Sequence, residues 1–286
     1  MNHELLPQII HSATDDHTEL ISVQSVSGGC INNAFRVVTK QNSYFIKTND
    51  FEQDLFEKER DGLKILNEKS DLNLPNTLGI GKINGTSFLL QEYVSGSHKN
   101  DDFWEHFGTQ LAKMHMHHAD HYGLSFDNHI GKLHQPNQIK DDWITFFIEN
   151  RLGYQLHLGK QVIPGKIKDQ FQLLFKQLPD LVPIEPPSLL HGDLWSGNFM
   201  TGENGYACIF DPAVYFGHRE MELSFTTMFG GFDEQFYASY ANAYPFVPGF
   251  SERIPIHNLY PLLVHVNLFG LSYLSGIKTT LKKYVG

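Results

Sequence analysis

The sequence predicts an α+β protein of two lobes, a small antiparallel β-rich lobe followed by a larger, mostly helical lobe. Before Glu92 most apolar runs are short, rich in Val, Ile, Phe and Tyr, and separated by turn residues, which is typical of antiparallel strands. From Asp101 onward nearly every apolar pattern has helical spacing. The composition changes between Val94 and Asn100, so we place the lobes at residues 1–94 and 95–286.

The first lobe is predicted to contain two helices and five strands. A short amphipathic pattern within residues 1–20 indicates a helix, and the spacing of Leu and Phe from Phe51 to Glu68 indicates the lobe's main helix. The turn sequences SGG, KQN and NGT separate the strand-like runs. The predicted strands are Ile21–Val26, Ala34–Thr39, Tyr44–Thr48, Leu78–Ile83 and Ser87–Glu92.

The second lobe is predicted to be helical except for the stretch LLHGDLWSGNFMTGENGYACIFDPA, residues 189–213. Its other segments repeat apolar residues at helical spacing and are separated by Pro, Gly and polar residues. The predicted helices are Asp101–His118, Asp141–Leu158, Ile167–Leu181, Glu220–Phe229, Glu234–Ala243 and, in pieces, Ile254–Tyr284.

The composition excludes several classes of protein. A chain of 286 residues with 41% hydrophobic and 19% charged residues is long and apolar enough to bury a large core. The formal net charge is −10 and no segment is rich in Lys or Arg, which argues against nucleic-acid binding. An anionic ligand would therefore need a few local cations, backbone amides or a metal ion.

Cysteine usage and the amino terminus indicate a cytoplasmic protein. Cys30 and Cys208 are the only cysteines, which do not form a disulfide framework. The opening MNHELLPQII lacks the basic and long apolar regions of a signal peptide. No apolar run reaches the ~18 residues of a membrane span. We expect no membrane partner.

The exceptional stretch predicts a hairpin that gathers acidic groups. Asn198–Met200 and Tyr206–Phe210 have strand character, and the turn TGENG between them suits a hairpin. Folding the hairpin returns Asp211 to the neighbourhood of Asn198. Asp193 precedes Asn198 by five residues, on the loop that leads into the hairpin.

Such a set of oxygen atoms suits a magnesium site. Mg²⁺ prefers oxygen ligands and is held by one or two carboxylates together with substrate phosphates. We predict that Asn198 and Asp211 bind the metal and that Asp193 accepts a proton from an attacking hydroxyl. The order His191, Asp193, Asn198, Asp211 is that of a kinase catalytic loop followed by its metal-binding aspartate. In the alternative interpretation, both aspartates only form turns and caps.

The first lobe offers candidates for nucleotide binding. Gly28 and Gly29 can expose backbone N–H groups to phosphate, although paired glycines are also common in plain turns. Lys47 lies on the third predicted strand, where a kinase keeps its phosphate-contacting lysine. Glu59 is its predicted partner on the next helix and Glu57 is the alternative. The two glutamates point in different directions, and we prefer Glu59 because apolar residues flank its side of the helix.

The end of the last predicted strand is the candidate adenine site. A strand that runs into a linker between lobes can offer its backbone to a base, and ligand pockets favour such places. The predicted adenine-binding residues are Gln91, Glu92, Tyr93 and Val94.

Longer segments extend these patterns over nearly the whole chain. They include SGGCINNAF, FIK, FEKE, YGLSFDNHIG, LLHGDLWSGN, FDPAVYFGHREMEL and MFGGF. Together they resemble the fructosamine kinase (ketosamine 3-kinase) family, a branch of the protein-kinase-like fold close to the aminoglycoside and choline kinases. Trp195 and the GHRE segment at residues 217–220 are the features that separate this branch from the aminoglycoside and choline enzymes.

The resemblance implies ATP- and Mg²⁺-dependent phosphorylation of the 3-hydroxyl of a ketosamine, the sugar adduct of an amine. The product is expected to shed its sugar and free the amine. By resemblance Asp193 is the base, and Trp195 and His218 lie near the substrate. His191 and Glu222 support the catalytic loop.

Cys30 follows the two glycines of the phosphate loop, where the resemblance implies an exposed thiol near the nucleotide. We hypothesise that its oxidation, through an intermolecular disulfide, alters ATP binding, so the protein is either a monomer or a redox-linked dimer. The loop reads Ser-Gly-Gly-Cys where some relatives carry a third glycine.

Three alternatives remain at this point. The chain could be a related kinase that acts on another alcohol, such as an aminoglycoside or choline. It could also be a nucleotide-binding pseudokinase, which the presence of the full set of catalytic residues disfavours. A zinc site at His117 and His121 has helical spacing but no carboxylate or cysteine to complete it.

Overall fold

The computed structural model describes residues 5–26, 32–50 and 54–286. The chain forms two compact units. The first comprises Met1–Phe103 together with Gly197–Pro212, and the second comprises Trp104–Ser196 with Ala213–Gly286. The division at residues 94 and 95 that the sequence suggests therefore differs from the observed units, because the hairpin around residues 199–209 packs with the first unit.

The first unit contains an antiparallel five-stranded sheet in the order β1-β2-β3-β5-β4. All five predicted strands are confirmed to within two residues, and both predicted helices are present. The elements are α1 (Leu5–Ala13), β1 (Leu20–Ser25), β2 (Asn33–Thr39), β3 (Ser43–Asn49), α2 (Asp54–Lys69), β4 (Thr77–Ile83) and β5 (Thr86–Glu92).

The two helices of this unit cover opposite faces of the sheet. Leu90 of β5 belongs to an apolar cluster with Ile9 of α1, whereas its neighbour Leu89 packs with Phe56 of α2. Successive side chains of a strand point to opposite faces, so both faces of β5 are buried. Each fully buried side chain of this size contributes roughly 1.5–3 kcal/mol.

The predicted hairpin is confirmed as β9 (Phe199–Thr201) and β10 (Ala207–Ile209). It is attached to the first unit by Asn73, whose side chain donates to Ala207 O at 3.1 Å and whose carbonyl accepts from Ile209 N at 3.0 Å. These bonds explain why the hairpin belongs to a unit from which it is distant in sequence.

The second unit is mostly helical and is built on one large apolar core, which includes Phe146, Phe171, Leu263 and Ile277. The predicted helices are present, with Glu220–Phe229 ending earlier, at Thr226. The helices are α3 (Phe103–His115), α4 (Trp143–Phe146), a π-helical turn (Phe147–Leu152), α5 (Gly153–Leu158), α6 (Gly165–Leu181), α7 (Glu220–Thr226), α8 (Glu234–Ala243), α9 (Phe250–His257), α10 (Leu259–Phe269), a 3₁₀ turn (Leu271–Tyr273) and α11 (Leu274–Val285).

Two short strand pairs interrupt these helices. β6 (Asn128–Ile130) pairs with β7 (Leu133–Gln135), and β8 (Ser188–Leu190) pairs with β11 (Tyr215–Gly217). The pair β6–β7 was missed because strands of three residues are too short to show alternation. The pair β8–β11 brings the segment before His191 beside the segment before α7, which positions the predicted catalytic loop that begins at His191.

In the part of the chain that the structure describes, no helix is both long and apolar enough to cross a membrane.

Candidate active site

Lys47 on β3 is buried beside Glu59 of α2. Lys47 is 5% exposed and Glu59 8%, and Lys47 Nζ lies 2.7 Å from Glu59 Oε1. The structure therefore pairs the lysine with Glu59, as the sequence predicts, and not with Glu57, which lies two positions and about 200° around the helix from it. A buried ammonium needs such a partner because an unpaired buried charge is very costly.

Lys47 also donates to Asp211 Oδ1 within the same unit. Burial alone would lower the pKa of Lys47, but the negative charges of Asp211 and Glu59 raise it above its ordinary value. Lys47 is therefore a permanent cation. It is a fixed charge suited to contacting a phosphate.

Asp211 has a left-handed backbone, with φ of 57°. Few residues other than glycine accept this conformation, and Asp is among them. The turn follows β10 directly and directs the carboxylate toward β3. Asp211 is thus held in an uncommon conformation by the element before it and by the lysine that it contacts.

Two carboxylates share one ammonium in this group. Burial first, then the negative charge of Asp211, raises the pKa of Glu59 to about 7, although Lys47 opposes the change. One positive charge cannot balance two carboxylates. The group is therefore one positive charge short, which suits the addition of a cation at Asp211.

Asn198 lies close to Asp211 across the hairpin of β9 and β10. Phe210, the residue before Asp211, donates its N–H to Asn198 O at 3.1 Å, and Phe199 pairs with Ile209. Asn198 is itself buried. The hairpin therefore brings an amide and a carboxylate to one end, as the sequence predicts. Their oxygens are the type that Mg²⁺ prefers, so the residues present fit this metal.

In the second unit, Glu222 of α7 holds the catalytic loop. It accepts from His191 N at 3.1 Å and from Gly192 N at 2.7 Å, and its side chain is fully buried. The predicted support of the loop by Glu222 through hydrogen bonds is confirmed. His115 of α3, which sequence reasoning missed, completes the set by donating Nε2–H to Glu222 at 2.8 Å, while its Nδ1 lies 2.8 Å from Tyr240 Oη.

Glu222 is an anion in this environment. Burial by itself raises its pKa, but the hydrogen bond and charge of His115, together with Gly192 N–H, lower it below its ordinary value of 4.5. The charged carboxylate is satisfied by donors on both oxygens. Charge-assisted bonds of this kind are about twice as strong as neutral ones.

Gly192 permits the sharp turn of the loop. Its φ is 85°, and a Cβ there would lie 2.0 Å from Ala213 O. Ala213 in turn donates its N–H to His191 O at 2.8 Å. No other residue could approach the β11 side so closely.

The turn at Gly192 lies between His191 and Asp193. His191 is fully buried, and its Nδ1 accepts from Asp193 N at 3.3 Å. The ring therefore fixes the backbone of Asp193, which agrees with a supporting role for His191. Asp193 itself is partly exposed, which is compatible with a proton acceptor, and that role stays a prediction.

A small, partly open pocket lies beside Asp193 within the second unit. Its walls are mainly apolar. Phe225 of α7 and Tyr260 and His265 of α10 line it together with Asp193 and Leu194. Sequence reasoning missed the first three because they are distant in the chain, belong to no motif and follow the ordinary spacing of core helices.

His218 does not contact solvent. It is 0% exposed, Nε2 donates to Pro183 O at 3.1 Å, and Nδ1 accepts from Glu220 N at 3.2 Å. Burial, followed by the neighbouring His257, lowers its pKa to about 4. The prediction that His218 contacts substrate is therefore contradicted, because the start of α7 lies inside the core.

The rest of the GHRE segment also has a structural role. Arg219 forms a two-bond pair with Glu185 at 2.9 and 2.6 Å, and Glu220 forms one with Arg253 at 2.8 and 2.6 Å. These buried pairs join α7 to the segment before β8 and to α9. The segment thus positions Glu222, which lies two residues after Glu220 on α7.

Trp195 is partly exposed and meets Phe229 edge to face, with ring centroids 5.5 Å apart. It follows Asp193 on the catalytic loop. Its predicted substrate contact stays a prediction, and its accessible position is compatible with it.

Some hydrogen-bonding groups of the predicted adenine-binding residues already have partners within the protein. Gln91 is buried, and in the described part of the chain its Nε2 has no hydrogen-bond partner. Glu92 accepts from Asn76 at 3.0 Å, and Tyr93 N–H donates to Ser43 O at 3.2 Å. Tyr93 N–H is therefore not available to a base. Nucleotide binding by Gln91, Glu92, Tyr93 and Val94 stays a prediction.

Three predicted phosphate-loop residues lie outside the described residues. They are Gly28, Gly29 and Cys30.

The family model for fructosamine kinase matches residues 3–286 of the chain. The chain belongs to the fructosamine kinase family. The curated relatives agree. A Synechocystis protein named "Probable ketoamine kinase" is 36% identical, with 98% of this chain and 96% of the relative covered. A rice protein, "Protein-ribulosamine 3-kinase, chloroplastic", is 37% identical, with 94% and 80% covered.

Solved structures confirm the two-lobed protein-kinase-like fold of this fructosamine kinase family member. A crystal structure from Haemophilus somnus, provisionally assigned as a fructosamine-3-kinase, has a TM-score of 0.87 and 28% identity, covering 98% of this chain and 97% of the other. An aminoglycoside phosphotransferase solved with ADP and hygromycin B has a TM-score of 0.67 at 13% identity, covering 100% and 99%. The second likeness concerns the fold alone.

Proposed function

We propose that the protein transfers a phosphoryl group from ATP to the 3-hydroxyl of a ketosamine, a fructosamine or ribulosamine adduct of an amine. The observation that carries the proposal is Lys47, buried between Glu59 and Asp211 as a permanent cation. Membership of the fructosamine kinase family and the names of the relatives support the choice of acceptor. The phosphorylated product would shed its sugar and free the amine.

In the first unit, Lys47 would bind nucleotide phosphate and Glu59 would hold the lysine in place. Asn198 and Asp211 would hold Mg²⁺. The Mg²⁺–ATP complex, when bound, supplies the phosphoryl group and neutralises charge that develops during its transfer. Asp211 would exchange its contact with Lys47 for the metal, while Glu59 keeps the ammonium oriented.

In the second unit, Asp193 would accept the proton of the 3-hydroxyl. Its backbone is fixed by His191, and the loop is fixed by Glu222, so the carboxylate needs little reorganisation. The sugar would bind at the open side of the pocket beside Asp193. Trp195, two residues farther along the same loop, would lie near it. Catalysis in this scheme is positioning and charge stabilisation rather than covalent chemistry.

His265 can take part in holding the acceptor. Its Nδ1 donates to Pro261 O at 2.7 Å, and burial lowers its pKa, so the ring is neutral near pH 7 with Nε2 as an acceptor. Tyr260 is different, because its hydroxyl donates to Gln135 Oε1 at 2.5 Å inside the core. We therefore assign sugar contact to His265 and wall packing to Tyr260.

A coupled assay of ADP release tests the proposal. The acceptors are fructosamine and ribulosamine derivatives of N-α-acetyl-lysine, choline and an aminoglycoside. Wild type should turn over a ketosamine, and Asp193→Asn should lose roughly 10²–10⁴-fold in kcat, the usual contribution of a general base. Asp180→Asn, the same change on the exposed surface of α6, is the matched control and should keep full activity.

The results of this assay distinguish the candidate functions. Turnover of choline or an aminoglycoside with no turnover of ketosamines would replace the proposed acceptor. ATP binding without turnover of any acceptor would indicate a pseudokinase.

A further inference from the structure

Five rings form a continuous cluster on the second unit, which we call the aromatic collar. Trp195 and Phe229 have centroids 5.5 Å apart, Phe229 and His265 5.2 Å, His265 and Phe269 5.4 Å, and His265 and Tyr273 4.9 Å. Phe229 is 42% exposed and Phe269 47%. Exposed aromatic area of this kind, contiguous rather than scattered, marks a binding surface.

The collar is continuous with the pocket beside Asp193. His265 belongs to both, since it lines the pocket and contacts the rings of Phe229 and Phe269. Phe225 also lines the pocket, and its ring lies 6.1 Å from that of Phe229. A ligand whose hydroxyl meets Asp193 therefore has the collar within its reach, because His265 belongs to both.

The loop that carries Phe229 is built to hold this position. Gly230 and Gly231 have φ of 69° and 92°, and a Cβ on Gly231 would lie 2.5 Å from Ser196 Cβ. The loop therefore approaches the residue next to Trp195 more closely than any side chain would allow. This contact brings Phe229 against Trp195.

We propose that the aromatic collar binds the nitrogen substituent of the ketosamine, namely its protonated amine and the alkyl chain that follows, as in an adduct of a lysine side chain. This inference rests on the proposed function. If the 3-hydroxyl meets Asp193, the amine nitrogen lies only a few bonds away, at the pocket's mouth. Aromatic faces attract an ammonium and pack against methylene groups.

The same surface disfavours acidic substituents. The faces of aromatic rings carry partial negative charge, and Asp193 adds a full one at the pocket. A carboxylate on the substituent would meet both. The collar therefore predicts a preference for ketosamines of alkylamines over those of acidic amino acids.

The test uses adducts of one ketose with methylamine, n-butylamine and β-alanine, with kcat/KM measured for each. Wild type should prefer the butyl adduct to the methyl adduct, and the β-alanine adduct should be the poorest. Phe229→Ala and Phe269→Ala should each reduce the butyl-to-methyl ratio by about three- to ten-fold, the size expected when one or two methylene groups of the butyl chain lose their apolar contact. Leu173→Ala removes a side chain of 48% exposure from α6, away from the collar, and should leave the ratio unchanged.

Equal kcat/KM for the butyl and methyl adducts in wild type, or an unchanged ratio in both phenylalanine variants, would overturn the inference. A preference for the β-alanine adduct would do the same. If no adduct is turned over, the proposed function fails separately. The collar is then judged by calorimetric Kd values for the butyl and methyl adducts without ATP, where the same loss of ratio in Phe229→Ala is required.

Discussion

Replacing Glu222 by glutamine tests how the catalytic loop is held. The carboxylate accepts from His191 N, Gly192 N and His115 Nε2, and all of these contacts are buried. Glutamine has the same shape but keeps a single acceptor oxygen, and its NH₂ group would face a donor. At least one charge-assisted bond is lost, which costs about 1.5–3 kcal/mol, and the unsatisfied donor adds to this cost.

We take about 3 kcal/mol as the expected loss of unfolding free energy. For a chain of this size each kcal/mol lowers Tm by roughly 2–4 °C, so Glu222→Gln should lower Tm by roughly 6–12 °C. The loop would also lose its fixed position, so kcat should fall while the KM for ATP changes little. Differential scanning calorimetry and the ADP-release assay measure the two effects.

Glu149→Gln is the matched control for this change. Glu149 pairs with Lys140 at an exposed position, where such pairs contribute about 0–1 kcal/mol. Its Tm should stay within roughly 4 °C of wild type. If Glu222→Gln falls in that same range with kcat unchanged, the assignment of Glu222 as the support of the loop is refuted.

The effect of Glu222 should depend on pH with a definite sign. Its pKa is lowered in the folded chain, so its stabilising contribution is complete above the ordinary value of 4.5 and is lost as pH falls through the folded pKa. The difference in Tm between wild type and Glu222→Gln should therefore be constant near neutral pH and shrink in acid.

Two further variants test other parts of the site. Glu59→Gln should lower kcat/KM for ATP by roughly ten- to hundred-fold, because it weakens a charged hydrogen bond to Lys47. Glu57→Gln should have little effect in the same assay. Equal losses in the two variants would contradict the pairing of Lys47 with Glu59. Gly192→Ala should lower Tm strongly or prevent folding, because its Cβ would overlap Ala213 O. Gly165 has open space around it, so Gly165→Ala should leave Tm unchanged or raise it. A stable, fully active Gly192→Ala protein would refute the close approach of Gly192 to Ala213.

Local patterns in the sequence predicted much of this molecule. Strands β1 to β5 were predictable because each is a short run rich in Val, Ile, Phe or Tyr that is bounded by turn residues, and this signal lies within single segments. The partner of Lys47 was also predictable from a local pattern, because the rotation of the helix points Glu59 and Glu57 in different directions. The hairpin that brings Asn198 and Asp211 together is encoded in its own turn, TGENG.

Only the tertiary structure decided which distant residues meet. His115 could not be assigned to Glu222 from sequence, nor could His218 be placed in the core, because each depends on how α3, α7 and α9 pack. The collar joins Phe229 to His265 across segments far apart in the chain. A sequence records the period of each element. Burial and side-chain contacts depend on how many elements pack together, and that packing decides which residues hold the candidate site in place and line its pocket.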